Sequence, residues 1–345
     1  MSFQLLGRAI ACDQPPLAVC ELGINHGGSV KTAFEMVDAA LDAGAEIIKL
    51  QTHIPGAEMS SEARFITPQH CKDSIFEVIE KTSLTLQEER EVFLYARSKG
   101  ARIFSTPFSR EAVDHLLDLE VSAFKIGSGE CNNWPLIDYV ASHGLPVVLS
   151  TGMHGIDVVR KAVTILEASG VAFALMHCTN LYPTPTSLVR LGGILDMQKE
   201  FPGIQIGLSD HTTSNYSCFG AIALGANFVE KHFCLSHEQV GPDIDCSNDP
   251  EEWKELMKGC FEVFLARGGK KSEIKEEQDT RDFAFASVVA VKDLNPGDIL
   301  TRENLWVKRP SGGDFTTDDY ERLLGLTVTS HVPRDTQLSK NAVQE

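Results

Sequence analysis

The sequence predicts a (β/α)8 barrel followed by a small, mostly-β domain. Three observations carry that expectation: eight short apolar runs separated by segments of helical period, a charged stretch almost without apolar residues near position 270, and a tail with β-like runs and turn signals.

The runs span 17–23, 47–51, 102–106, 123–127, 146–151, 173–178, 204–209 and 228–233. They are apolar almost throughout, as strands covered on both faces are, which favours a closed parallel barrel over a half-exposed sheet. Between them, 32–43 carries Ala33, Phe34, Met36, Val37, Ala40 and Leu41 at helical spacing and stops at Gly44; 86–98 repeats the pattern and stops at Gly100. No GxGxxG follows the first run, which weighs against an open dinucleotide-binding sheet. The long connection 53–85, with Pro55, Gly56 and Pro68 ahead of an apolar piece at 74–80, is expected to cover the active site. After a helix expected over 251–265, the charged segment 267–282 reads as a linker. The domains are therefore 1–266 for the barrel and 283–345 for an appendage of about sixty residues, near the lower limit for folding unaided.

Composition narrows the class. The 345 residues are 43% hydrophobic with no apolar run long enough for a membrane span and no signal-peptide pattern at the start, so a cytoplasmic protein is expected. A formal charge of -17 disfavours nucleic acid and anionic membranes as partners, and requires that any anionic substrate find a locally positive pocket. Nine cysteines without a CxxC pair point to free thiols rather than a disulfide scaffold or a structural zinc site.

In a barrel the C-terminal ends of the strands converge, and there the chain places its chemistry. Ser209, Asp210 and His211 end the seventh run and His232 closes the eighth; two imidazoles at neighbouring strand ends suit a catalytic metal or are ordinary loop histidines. Lys49 and Lys125 lie inside apolar runs, where a bare ammonium is costly to bury. With Thr106, Ser128, Ser150 and Ser209 they would cradle a phosphate and a carboxylate; an internal salt bridge to Glu21, Glu130 or Glu230 would satisfy either lysine as well.

These residues carry a resemblance. The stretches Glu21-Leu-Gly-Ile-Asn-His-Gly-Gly28, Lys49-Leu-Gln-Thr52, Phe104-Ser-Thr-Pro-Phe108, Phe124-Lys-Ile-Gly-Ser-Gly-Glu130, His177-Cys-Thr-Asn-Leu-Tyr-Pro-Thr-Pro185, Gly207-Leu-Ser-Asp-His-Thr212 and Glu230-Lys-His-Phe233 are similar to the signatures of the bacterial N-acetylneuraminate (sialic acid) synthases. Trp306-Val-Lys-Arg-Pro310 and Gly312-Gly-Asp-Phe315 resemble the antifreeze-like (SAF, β-clip) domain of those enzymes. The resemblance implies a synthase that condenses phosphoenolpyruvate with N-acetylmannosamine and water, releasing phosphate. It implies that Lys49, Thr106, Lys125, Ser128, Ser150, Asn180 and Ser209 hold phosphoenolpyruvate, and that His211 and His232 bind a divalent metal, manganese first and magnesium or cobalt as alternatives. Glu21, Gln51, Glu130, Tyr182 and Asp243 would then grip the amino sugar or handle protons, Glu21 ahead of Glu130. It further implies a domain-swapped homodimer in which Arg309 reaches the sugar bound by the other subunit.

The connection between His232 and Gly241 differs from the sialic acid pattern, so legionaminic or pseudaminic acid synthases, which take a 2,4-diacetamido-6-deoxy sugar, are sibling alternatives. Asn180 and Thr184 weigh against the legionaminic pattern and Gly241-Pro-Asp243 against the pseudaminic one. A non-catalytic carbohydrate-binding protein is the alternative from another class, and would have little use for two in-strand lysines and two strand-end histidines.

Overall fold

The structure, a computed structural model, describes residues 3–68 and 72–344. Two three-residue strands, β1 (Phe3–Leu5) and β2 (Arg8–Ile10), open it as an antiparallel hairpin that the sequence did not announce. Eight parallel strands follow and close on themselves: β3 (Leu17–Gly23), β4 (Ile47–Thr52), β5 (Arg102–Pro107), β6 (Phe124–Ile126), β7 (Val147–Ser150), β8 (Phe173–Cys178), β9 (Gln205–Asp210) and β10 (Phe228–His232), the last pairing back onto β3. The chain is thus the (β/α)8 barrel that the eight runs predict.

Side chains alternate in and out along a strand, and here the alternation decides where the site lies. One parity fills the barrel: Leu17, Val19, Ile47, Phe104, Ala123, Val148, Ala174, Met176 and Phe228 form one buried cluster, onto which Phe3, Leu5 and Ile10 of the hairpin pack. The other parity, including Cys20, Leu22, Ile48, Leu50, Leu149, Ile206 and Val229, packs with the surrounding helices. Two residues further along the inward parity the chemistry changes at a common level: Glu21 follows Val19, Lys49 follows Ile47, Thr106 follows Phe104, Lys125 follows Ala123, Ser150 follows Val148 and Glu230 follows Phe228. An apolar plug therefore fills the N-terminal part of the barrel and a polar floor tops it.

The helices begin where the sequence supplies caps. Ser29 caps Val30–Asp42, and Ser74, Thr85 and Asp249 open Ile75–Thr82, Leu86–Ser98 and Pro250–Ala266 with reciprocal capping boxes to Glu77, Glu88 and Glu252. The connection 53–85 contains a helical turn, Pro55–Glu58, and a 3-10 segment, Ser61–Phe65; its residues 69–71 lie outside the described ones.

Two compact units divide the chain at Gly268 and Gly269. Arg267, assigned to a linker from its charge, belongs to the barrel, where its guanidinium donates to the carbonyls of Ile222, Ala226 and Cys12. Helix Gln278–Ala284 occupies the far end of the same segment, supported by a hydrogen bond from Gln278 to Asp282 at 2.6 Å. In the second unit β11 (Ser287–Ala290) pairs with β12 (Leu305–Lys308) and β13 (Thr327–Val328) with β14 (Val343–Gln344), around a core that includes Val288, Leu300, Leu305, Phe315, Leu323 and Leu338. Among the described residues no helix is long and apolar enough to cross a membrane.

Gly207 tests the packing of the plug. A Cβ there would stand 2.7 Å from the carbonyl oxygen of Phe228 and 2.8 Å from its ring, with backbone on one side that cannot yield. Gly207→Ala is expected to lower stability by about 1–3 kcal/mol, measured as a fall in the urea midpoint at unchanged slope.

Candidate active site

A cavity of about 400 Å³ opens over the polar floor, within the size range of small-molecule sites. All the expected site residues of the barrel line it: Glu21, Lys49, Gln51, Thr106, Lys125, Ser128 and Glu130 from the first four strands and their ends, and Ser150, Asn180, Tyr182, Ser209, His211, His232 and Asp243 from the rest. Arg309 does not; it is exposed in the second unit.

The lysines organise the floor. Lys49 Nζ lies 2.7 Å from Glu21 Oε2 and 3.6 Å from Glu230 Oε1, and donates to Thr106 Oγ1 at 3.2 Å. Lys125 Nζ donates to Ser150 Oγ at 2.7 Å and to Glu230 Oε1 at 3.3 Å. Ser209 Oγ donates to the same Glu230 oxygen at 3.3 Å, while Glu230 Oε2 is buried without a hydrogen-bond partner. The internal salt bridge left open by the sequence is present: Glu21 and Glu230 compensate the lysines, and the hydroxyls of Thr106, Ser150 and Ser209 line the same cavity.

The two carboxyls are driven apart. Burial pushes Glu21 up, and the opposing pull of Lys49 does not cancel it, with Glu230 adding to the rise. Burial acts on Glu230 in the same sense, but Lys125 and Lys49 outweigh it and hold that group below its ordinary range. The proton affinities of the two carboxyls are therefore unequal, Glu21 above its ordinary range and Glu230 below. Glu130 sits higher, in the 3-10 turn Ser128–Glu130, with Oε2 accepting from Asn133 at 2.5 Å. Ser128 Oγ accepts from the Gly152 amide at 3.0 Å, and Asn180 Oδ1 accepts from the Cys178 thiol at 3.3 Å.

His211 and His232 stand with ring centres 5.4 Å apart, and Tyr182 packs over His211 at 4.2 Å. Burial holds His232 well below the ordinary histidine range, with His211 and three lysines adding to the effect, so the ring is neutral; its Nδ1 is buried without a hydrogen-bond partner, 3.8 Å from an oxygen of Asp243. For His211 burial works against the charged form, but Cys178, the Thr179 carbonyl and Asp210 outweigh it and push the ring up to about 9. His211 Nδ1 lies 2.9 Å from the Thr179 carbonyl, which leaves Nε2 for a ligand. A neutral buried imidazole with an unpaired nitrogen, beside a second imidazole whose far nitrogen is fixed by a carbonyl, is a donor set that fits a divalent metal once the ion has displaced the proton on Nε2 of His211. His237, Asp249 and Glu252 also converge within 4.8 Å, but Asp249 and Glu252 are engaged there in capping a helix.

Three placements go beyond what the sequence specifies. Glu230 stands at the centre of the floor, where its inward parity with Phe228 and His232 was the available signal. The connection 53–85 contributes His53, Glu58, Met59, Pro68, Ile75, Val78 and Ile79 to the cavity wall. Asp210 pairs with Lys231 at 2.6 Å on the outward parity, both side chains fully buried; Lys231 also donates to the carbonyls of Thr212 and Ser214, pinning the loop that follows His211.

A strand-end cavity, two buried lysines on its floor and two imidazoles beside them place the candidate active site at the C-terminal face of a (β/α)8 barrel, where enzymes of this fold keep their chemistry. Residues 36–272 match the NeuB family and residues 285–344 match the SAF domain. The N,N'-diacetyllegionaminic acid synthase of Campylobacter jejuni is 33% identical over 92% of this chain and 97% of its own. The human N-acetylneuraminate-9-phosphate synthase is 30% identical over 98% of this chain and 95% of its own. Among solved structures, the N-acetylneuraminic acid (sialic acid) synthetase of Leptospira borgpetersenii, bound to citrate, superposes with a TM-score of 0.73 at 27% identity, covering 81% of this chain and 95% of that one. The chain belongs to the NeuB family, and is a sugar-acid synthase of that family with a C-terminal SAF domain.

Lys231→Met leaves Asp210 buried as an uncompensated charge and is expected to cost roughly 3–5 kcal/mol by chemical denaturation. Adding Asp210→Asn should restore part of that loss, because the stranded charge is then removed.

Proposed function

We propose that the enzyme condenses phosphoenolpyruvate with N-acetylmannosamine and water to give N-acetylneuraminate and phosphate, in the cytoplasm, with cleavage of the C–O bond to phosphate. The observation that carries the proposal is the pair of buried lysines, hydrogen-bonded to Ser150 and Thr106, facing a neutral and a carbonyl-fixed imidazole across one cavity.

In the proposal Lys49 and Lys125 take the phosphate and carboxylate of phosphoenolpyruvate, exchanging part of their contact with Glu21 and Glu230 for the incoming anion. Thr106, Ser128, Ser150, Asn180 and Ser209 lie where they would orient it with neutral hydrogen bonds, and Glu230 keeps the two ammonium groups from repelling one another when the site is empty. The terminal enol carbon forms the new C–C bond to the sugar aldehyde, water adds to the neighbouring carbon, and phosphate leaves as the keto group forms. A divalent ion held by His211 and His232, manganese in the first instance, would supply Lewis acidity toward the aldehyde oxygen and toward water. Glu21, the carboxyl raised by burial, is assigned the proton transferred at the reacting centre, with Glu130 the more solvent-facing alternative. Gln51, Tyr182 and Asp243 are assigned to the sugar hydroxyls. Arg309 is assigned to the acetamido group of a sugar bound by the partner in a domain-swapped homodimer.

A second substrate, a 2,4-diacetamido-6-deoxy sugar, is favoured by one observation: Met59, Ile75, Val78 and Ile79 make part of the wall apolar, a surface suited to a methyl group. Phosphate release from phosphoenolpyruvate separates the two. With manganese present, N-acetylmannosamine is expected to support release and the diacetamido sugar to support little; the reverse ratio would replace the proposed substrate, and no release with either would end the synthase proposal. A chelator should abolish release and added manganese restore it, whereas His211→Ala and His232→Ala should remain inactive with manganese and bind it at least tenfold more weakly by titration.

A further inference from the structure

We propose that His53, clamped by Glu58, is a positioning residue that fixes the amide of Gln51 and, through it, the carboxylate of Glu21. His53 and Glu58 lie on the side of the cavity formed by the connection after β4, with side chains only 5% and 6% exposed. His53 Nδ1 is 3.0 Å from each Glu58 oxygen, and Nε2 is 3.0 Å from Gln51 Oε1. The ring stacks on Phe108 at 4.2 Å with planes 10° apart. Gln51 Nε2 in turn donates to Glu21 Oε1 at 2.7 Å, and Glu21 meets Lys49 at 2.7 Å. Glu58, His53, Gln51, Glu21 and Lys49 thus form one continuous chain into the site.

Gln51 turns its amide nitrogen to Glu21 Oε1 and its carbonyl oxygen to His53 Nε2. A carbonyl oxygen only accepts, so Nε2 of His53 donates to Gln51, while Glu58 holds the ring from the Nδ1 side. Gln51 cannot turn over without setting its carbonyl against Glu21 and its NH2 group against the His53 N–H, so its second hydrogen and second lone pair are presented to the cavity in one pattern. Glu58 closes the turn Pro55–Glu58, the first element of the connection that supplies the apolar wall, so the seating of that connection is tied to the orientation of Glu21.

The test has a kinetic arm, which rests on the proposed condensation, and a ligand-free arm, which does not. In the full-length enzyme His53→Phe keeps the stacking plane and loses both hydrogen bonds. It is expected to raise KM for the amino sugar by roughly tenfold or more while KM for phosphoenolpyruvate stays within about twofold. His53→Gln, which retains an N–H near the place of Nε2, is expected to recover most of the loss. Equal rises in both KM values, or no recovery with His53→Gln, would overturn the positioning role. In the ligand-free arm, 15N NMR of histidine-labelled wild-type protein is expected to show a hydrogen on His53 Nε2 held in a hydrogen bond, and Gln51→Leu to remove that bond. A His53 Nε2 without a hydrogen in the wild type would overturn the proposal, and does not depend on any variant folding. If no sugar supports phosphate release the condensation fails, and the NMR result still decides the role of His53.

Discussion

Burying two ammonium groups at the mouth of an apolar barrel is the constraint on which the rest of this structure depends. Lys49 and Lys125 are almost wholly withdrawn from water, and each would be severely destabilising without a compensating charge. Glu21 and Glu230 supply it, and Glu230, reached by both lysines and by Ser209, is the hub. Two cations facing two carboxylates of unequal proton affinity make a site that is compensated when empty and can still receive an anion, because Glu21 is inclined to take up a proton.

The barrel produces this arrangement by a rule as simple as alternation. Every second residue of each strand points inward, so an apolar residue followed two places later by a polar one yields a dry plug and a charged floor at one level. Phe228 and Gly207 interlock inside the plug, and the hairpin β1–β2 packs on its far end. On the outward parity Asp210 and Lys231 join β9 and β10 at the level where His211 and His232 emerge, so a structural ion pair sets the spacing of the two imidazoles. The chemistry faces in and the bracing faces out on the same two strands.

Much of this was legible in the sequence, for physical reasons. Strands covered on both faces leave uninterrupted apolar runs, so all eight coincide with strands whose edges differ by at most one residue. A polar residue at the end of such a run is conspicuous, which is why the cradle, the histidines and Glu21 stood out. The hairpin β1–β2 has strands of three residues, too short to show a period. Glu230 was noticed only as a possible partner for a lysine, because nothing in one strand reveals which residue lies equidistant from two others. His53 and Glu58 belong to a connection without period, and their link to Gln51 exists only once the turn Pro55–Glu58 brings residues 58 and 53 together. The helix Gln278–Ala284 was hidden by its charge, being exposed except at Arg281 and Ala284 and held by its own side-chain bonds.

The claim that the floor exists to hold an anionic substrate is tested most directly by calorimetric titration of phosphoenolpyruvate into the wild-type enzyme and into Lys125→Met, with no sugar present. Saturable binding by the wild type, weakened by roughly a hundredfold in the variant at a temperature where both proteins remain folded, is the expected result. Equal affinity in the two proteins would contradict it, and would leave Lys125 as a purely structural partner of Glu230.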